Sequence, residues 1–251
     1  MNARFKDQVA IITGGADGLG KAIATRLGAE GAHVALFDRN AALLGETQHQ
    51  LSSTGASVSI HECDIGDELS VNAAVASVLE KRGRIDALIN SAGVVGPTNV
   101  KISEYSADAF DLVCRVNLRG SFLITKAALG AMLKQKYGRI LLIASIAGKD
   151  GNPGMVGYSA SKAGVIGLVK GVAKEYAESG VTINGLAPAV VRTALVDNCA
   201  PEQVKYMTDK IPMKRCGTLE EVAAMAAWIV SPECSFTTGF TFDLTGGRAV
   251  Y

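Results

Sequence analysis

The sequence predicts an α/β domain: a doubly wound, seven-stranded parallel sheet flanked by helices. Three observations predict it. Short apolar runs alternate with longer amphipathic stretches from one end of the chain to the other. A glycine-rich turn joins the first apolar run to the helix after it. No linker, charge block or internal repeat interrupts the alternation, so residues 1–251 read as one domain.

The first run, Gln8-Val-Ala-Ile-Ile-Thr13, has the composition of a buried parallel strand. Gly14-Gly15-Ala16-Asp17-Gly18-Leu19-Gly20 follows at once, and a helix runs from about Gly18 to Glu30 with Ile23 and Leu27 on its inner stripe. Gly31-Ala32 closes it, and His33-Val-Ala-Leu-Phe-Asp38 is a second strand. Strand, glycine turn, helix and strand within about 30 residues make the unit that binds a dinucleotide, because glycines let backbone approach a pyrophosphate resting on a helix N-terminus. Helices are expected at Ala41 to Ser53, Asp67 to Arg82, Ser103 to Lys136, Tyr158 to Glu178 and Leu219 to Val230. The other strands are expected at Ser57 to His61, Ile85 to Ile89, Arg139 to Ala144, Thr182 to Ala187 and Phe240 to Asp243. Residues 94–102, 147–157 and 189–217 read as loops around a substrate.

The balance of 48% apolar and 20% charged residues is that of an ordinary globular protein. A net charge of +1 gives no reason to expect a nucleic-acid or membrane-surface partner. Five scattered cysteines form no CxxC or His-paired spacing, which argues against a disulfide framework or a metal site and points to a reducing compartment. With a polar N-terminus and no apolar run of membrane-spanning length, the expectation is a cytoplasmic protein. His33, His49 and His61 read as structural or solvated, and Cys114 and Trp228 as packing.

The chemistry is expected at Tyr158-Ser159-Ala160-Ser161-Lys162, with Ser145 at the end of an apolar strand. Tyr158 and Lys162 are four apart on a helix and share a face. A tyrosine hydroxyl with its usual pKa of about 10 is a poor base at neutral pH, and an ammonium one turn away favours the phenolate. Such an oxygen can take a proton from an alcohol or return one to a carbonyl.

Together these motifs resemble the short-chain dehydrogenase/reductase family over essentially the whole chain. Thr13 to Gly20 fits TGxxxGxG, and Asn90-Ser91-Ala92-Gly93 is similar to NNAG, with Ser91 in place of the second Asn. Asn117, Ser145, Tyr158 and Lys162 fall where the family keeps its catalytic tetrad. Pro188 opens what would be the nicotinamide loop, with Ala189 replacing the usual glycine.

The resemblance implies metal-free hydride transfer between a nicotinamide and an alcohol or carbonyl. Tyr158 would exchange the proton, Lys162 would hold the ribose and lower the tyrosine pKa, and Ser145 would bond the reacting oxygen. The backbone at Asn117 would anchor a proton-relaying water. The cofactor would lie on Gly14, Asp17, Gly18, Leu19 and Gly20, on Asp38 and Arg39, and on Asp64 and Ile65. Asn90, Ala92 and Gly93 would complete its site with Pro188, Val191, Thr193, Tyr158 and Lys162. Asp38 closes the second strand, where a carboxylate accepts from a ribose and repels a 2′-phosphate, so the expected cofactor is NAD.

The substrate is expected to be a small sugar or sugar acid, contacted by Ser145 and Tyr158 and held by a cation from Lys149 or Arg192. The tail from Gly246 to Tyr251 resembles that of relatives that oxidise sugars, and its terminal aromatic suggests a pocket cap. The resemblance also implies a tetramer built on the two long helices and the last strand. Two alternatives stand beside this reading: a 3-oxoacyl-[acyl-carrier-protein] reductase, and a non-catalytic nucleotide-sensing protein on the same fold.

Overall fold

The computed structural model describes residues 3–249. Among them, seven parallel strands form one sheet in the order β3-β2-β1-β4-β5-β6-β7. The strands are β1 Val9–Thr13, β2 His33–Asp38, β3 Ser57–Glu62, β4 Ala87–Asn90, β5 Gly138–Ile143, β6 Val181–Pro188 and β7 Thr241–Leu244. Each lies within two residues of its expected bounds, the scatter usual at element ends.

Every residue of β1, β4 and β5 is buried, as strands covered on both faces require. The helices α1 Gly18–Ala29 and α2 Ala41–Ser53 cover one face with α10 Leu219–Ile229. The other face carries α3 Glu68–Arg82, α5 Gly120–Gln135 and α7 Val156–Glu175. Ile11, Leu88 and Ile140 fill the core toward α3, α5 and α7, while Ile12, Ile89 and Leu141 fill the one toward α1 and α10. This alternation follows from the two-residue period of a strand. Strand order reverses between β1 and β4, so a crevice opens there beyond the strands' C-terminal ends, where doubly wound sheets bind ligands.

Two expectations are corrected. The single helix expected over Ser103 to Lys136 is a 3-10 turn (Ile102–Glu104), then α4 (Ala107–Cys114), a π-helical segment (Arg115–Arg119) and α5. The π turn carries Asn117, whose side chain is drawn off the helix by long-range partners. The stretches expected as loops also hold short helices: α6 Ala147–Asp150, α8 Ala194–Asp197 and α9 Pro201–Asp209. Val191 and Gly217 form a parallel bridge that ties the neck of the 189–217 segment.

Candidate active site

The crevice is a cleft of about 820 Å³ running from the glycine turn to β6. At its first end, α1 begins at Asp17 with no side-chain cap, so its leading N–H groups are available to an anion. Gly18 there has φ +55° with open space where a side chain would stand, a surface that backbone leaves free for a ligand. Gly20 differs: a Cβ on it would lie 2.1 Å from the Gly14 carbonyl oxygen, so it serves the packing of α1 on the turn and does not line the cleft.

Asp38 lines the cleft at the end of β2, its carboxylate accepting from the Asn40 N–H at 3.1 Å and the Ala16 N–H at 3.4 Å. Asp64 accepts from the Gly66 N–H at 2.8 Å and pairs with Arg115 at 3.2 Å, and these hold its carboxyl below the usual carboxylate range. Gly14, Asp17, Leu19, Arg39, Ile65, Ala92, Gly93, Pro188, Val191 and Thr193 also line the cleft. Asn90 does not. It is buried, accepting from Thr13 Oγ1 at 2.5 Å and donating to Ser121 Oγ at 2.8 Å. Thr13 Oγ1 in turn accepts from the Ala92 N–H at 3.1 Å, so Asn90 supports the 91–93 turn from below. The uncapped helix start, the bare Gly18 and the carboxylate at the end of β2 together fit a dinucleotide.

At the other end stand Ser145, Tyr158 and Lys162. Ser145 leaves β5 buried, its Oγ accepting from the Ala147 N–H at 3.1 Å. Burial holds the Tyr158 pKa above its usual value, and the neighbouring Ser145 side chain pulls it partly back down. Lys162 donates to the Ile143 carbonyl at 2.7 Å, and burial lowers its pKa to about 8. Its Nζ is 5.8 Å from the centre of the Tyr158 ring. The expected lowering of the tyrosine by Lys162 is corrected: burial raises its pKa on balance, and Ser145 is the side chain that opposes that rise.

Asn117 is fully buried, accepting from the Val94 N–H at 2.8 Å and donating to the Val94 carbonyl at 2.9 Å and to Ser161 Oγ at 3.0 Å. It braces the loop after β4 against α7, one residue from Lys162.

The expected anion clamp is not assembled. Lys149 donates to Asp243 Oδ2 at 2.9 Å, nearly buried beneath β7, and is not among the cleft's lining residues. No residue of 147–157 is. Arg192 is exposed outside the cleft and pairs with Asp197 at 2.8 Å. The end of the expected tail cap, Val250 and Tyr251, lies outside the described residues. Val94, Val95 and Val190 line the cleft from two of the loops expected around the substrate, and Arg115 lines it without having been singled out from the sequence. Only the place of Arg115 two residues before Asn117 hinted at it. His33 and His61 are buried on the β2–β3 edge among serines, away from the cleft.

A pattern described as short chain dehydrogenase matches residues 8–204. The chain belongs to that family and is an oxidoreductase of it. Over 99% of its length it is 45% identical to 2-dehydro-3-deoxy-L-rhamnonate dehydrogenase (NAD(+)) of Sphingomonas sp. (strain SKA58), covering 98% of that protein. A 3-oxoacyl-[acyl-carrier-protein] reductase of Synechocystis sp. is 37% identical over 97% of this chain and 98% of its own. The crystal structure of an NAD+-bound xylitol dehydrogenase superposes with a TM-score of 0.92 at 30% identity, over 97% of this chain and 99% of that one. No helix among the described residues is long and apolar enough to cross a membrane.

Proposed function

We propose that the chain oxidises a secondary hydroxyl of a small sugar acid with NAD as hydride acceptor. The observation that carries the reaction is that Ser145, Tyr158 and Lys162 line the same cleft as the glycine turn, with Lys162 one helical turn from Tyr158. NAD, when bound, supplies the ring that takes the hydride. Gly14, Gly18 and the open start of α1 hold its phosphates, and Asp38 accepts from its adenosine ribose and repels a 2′-phosphate. Arg39, Asp64 and Ile65 flank the adenine end, while Pro188, Val191 and Thr193 bound the far end.

Tyr158 takes the proton of the substrate hydroxyl, and Ser145 donates to the reacting oxygen as charge develops on it. Lys162, with a pKa of about 8, gives and regains a proton near neutral pH and passes it outward past Asn117. The sugar-acid class is supported by the Sphingomonas relative and not by a cation in the pocket. The Synechocystis relative keeps acyl-carrier reduction as the second reading, against which Asp38 weighs if that reaction uses NADPH. A sensor without catalysis has no need of a buried lysine beside a tyrosine and a serine in one cleft.

We also propose a cytoplasmic homotetramer built on α4, α5, α7 and β7. Gly164 packs on Leu118 inside the chain, whereas Gly167 and Gly171 face open space, and Leu112 and Phe122 are exposed on α4 and α5. A monomeric mass in sedimentation at micromolar concentration would remove the tetramer. Initial rates with sugar acids, polyols and acyl thioesters, each with both nicotinamide cofactors, test the activity. Turnover restricted to acyl thioesters would transfer the assignment to the reductase.

A further inference from the structure

Ser145 and Tyr158 stand at the two ends of one strap of chain, residues 146–157, and the strap is fastened to Ser145 and to the residue after Tyr158. The Ala147 N–H donates to Ser145 Oγ at 3.1 Å, and the Asn152 N–H donates to Ser159 Oγ, next to Tyr158, at 3.0 Å. Its middle is held from the other end of the chain. Arg248 donates through Nε to Asp150 Oδ2 and through Nη2 to Asn152 Oδ1, both at 3.0 Å. Lys149 donates to Asp243 at 2.9 Å. The side chains of Arg248 and Lys149 are 11% and 9% exposed, so these pairs are screened less than ordinary surface ion pairs. The same terminal segment also receives the far end of the 189–217 loop, the Met213 N–H donating to the Gly246 carbonyl at 3.1 Å.

We propose that Arg248 is a positioning residue for the reaction: by holding Asp150 and Asn152 it fixes the strap that aims the Ser145 hydroxyl at Tyr158. The proposal rests on the acid–base reading of Tyr158. A serine hydroxyl has one proton to donate. Because Ser145 Oγ accepts from Ala147, that proton is left for Tyr158 or for the reacting oxygen, and its direction follows the position of α6. Asn152 carries the hold onward, since it accepts from Arg248 and donates beside Tyr158. Burial raises the Tyr158 pKa and Ser145 opposes that rise, while the Lys162 ammonium stands beside the ring. A strap freed from Arg248 loosens the Ala147 hold on the Ser145 hydroxyl while leaving the glycine turn and Asp38 untouched.

The test is Arg248→Ala on the full chain, with Arg248→Lys and Asn152→Ala beside it. In Arg248→Ala, kcat should fall by about tenfold or more, since misplacing a catalytic group by about 1 Å can cost up to about a hundredfold. The acid-side limb of the pH profile of kcat should move upward, and NADH affinity from fluorescence titration should stay within about twofold. Arg248→Lys, reaching one partner in place of two, should recover part of kcat. Hydrogen exchange should quicken at residues 146–157 and not at the glycine turn. A folded Arg248→Ala protein with wild-type kcat and an unmoved limb overturns the proposal, because a purely structural arginine would change the melting temperature alone. If Arg248→Ala does not fold, Asn152→Ala decides by the same two readings. If the wild type oxidises no alcohol tested, the acid–base reading falls, and unchanged exchange at 146–157 separately overturns the clasp.

Discussion

The two ends of the cleft are built from different distances along the chain. The cofactor end is largely one local unit, β1 to β2, in which the turn, the helix start and Asp38 follow one another between Val9 and Asp38. The substrate end is gathered from afar. Lys149 reaches Asp243 across 94 residues, Arg248 reaches Asp150 across 98, and Asn117 reaches Ser161 across 44. A local unit has its geometry set by turn chemistry and periodicity. A gathered one depends on which side chains happen to meet.

The largest expected effect tests the substrate end. Tyr158→Phe should lower kcat by at least about a hundredfold, the low end for removing a general base, while NADH binding stays nearly unchanged. Retention of a tenth of the wild-type rate would show that another group exchanges the proton.

At the β2–β3 edge, away from the cleft, His33 lies between Ser57 at 2.8 Å and Ser59 at 3.0 Å. Burial, aided by the positive charge of Arg82, lowers its pKa from 6.5 to about 4, and burial lowers His61 as well. Between those values the unfolded chain binds a proton that the folded chain excludes. Stability therefore rises with pH from about 4 to 6.5 and is lost on acidification through the same window. His33→Gln should flatten that slope, worth on the order of 1–3 kcal/mol, in melting curves taken across it. An unaltered slope would place the acid sensitivity elsewhere.

Asp38→Ala should shift the ratio of catalytic efficiencies toward NADP(H) by about tenfold, since it removes the carboxylate that repels a 2′-phosphate. Arg39 lies next to it, exposed and lining the cleft, and can pair a phosphate once that carboxylate is gone. Equal efficiencies with both cofactors in the wild type would leave Asp38 without this role.

What was legible follows the same division. All seven strands could be read because buried parallel strands are continuous apolar runs, and the first βαβ unit because glycine, helix and acid come in fixed order. Ser145, Tyr158 and Lys162 could be placed because a strand end and a four-residue helical spacing are local facts. The π turn at Asn117 was hidden, since it depends on Val94 and Ser161 and not on helix propensity. Asn90 and Gly20 sit in the right motif but serve packing, a distinction made only by Thr13, Ser121 and the Gly14 carbonyl. Lys149 was misread for the same reason: a lysine in a polar loop reads as free until Asp243 is folded over it.

Arg192 gives the smallest expected effect and the sharpest view of the substrate end. Its backbone N–H donates to the Gly217 carbonyl at 2.8 Å, which closes the neck of the 189–217 segment whatever the side chain does. The guanidinium meets Asp197, and both side chains are more than half exposed, so the pair is screened and weak. A cation already paired and outside the cleft lining adds little attraction for a substrate carboxylate. Arg192→Ala should therefore change KM for a sugar acid by less than about threefold, within the range of exposed ion pairs, with kcat unchanged. A tenfold rise in KM, with no change for a neutral polyol, would mean that Arg192 leaves Asp197 to take the carboxylate. The substrate end would then be completed by the ligand itself, a sharper contrast with the preformed cofactor end.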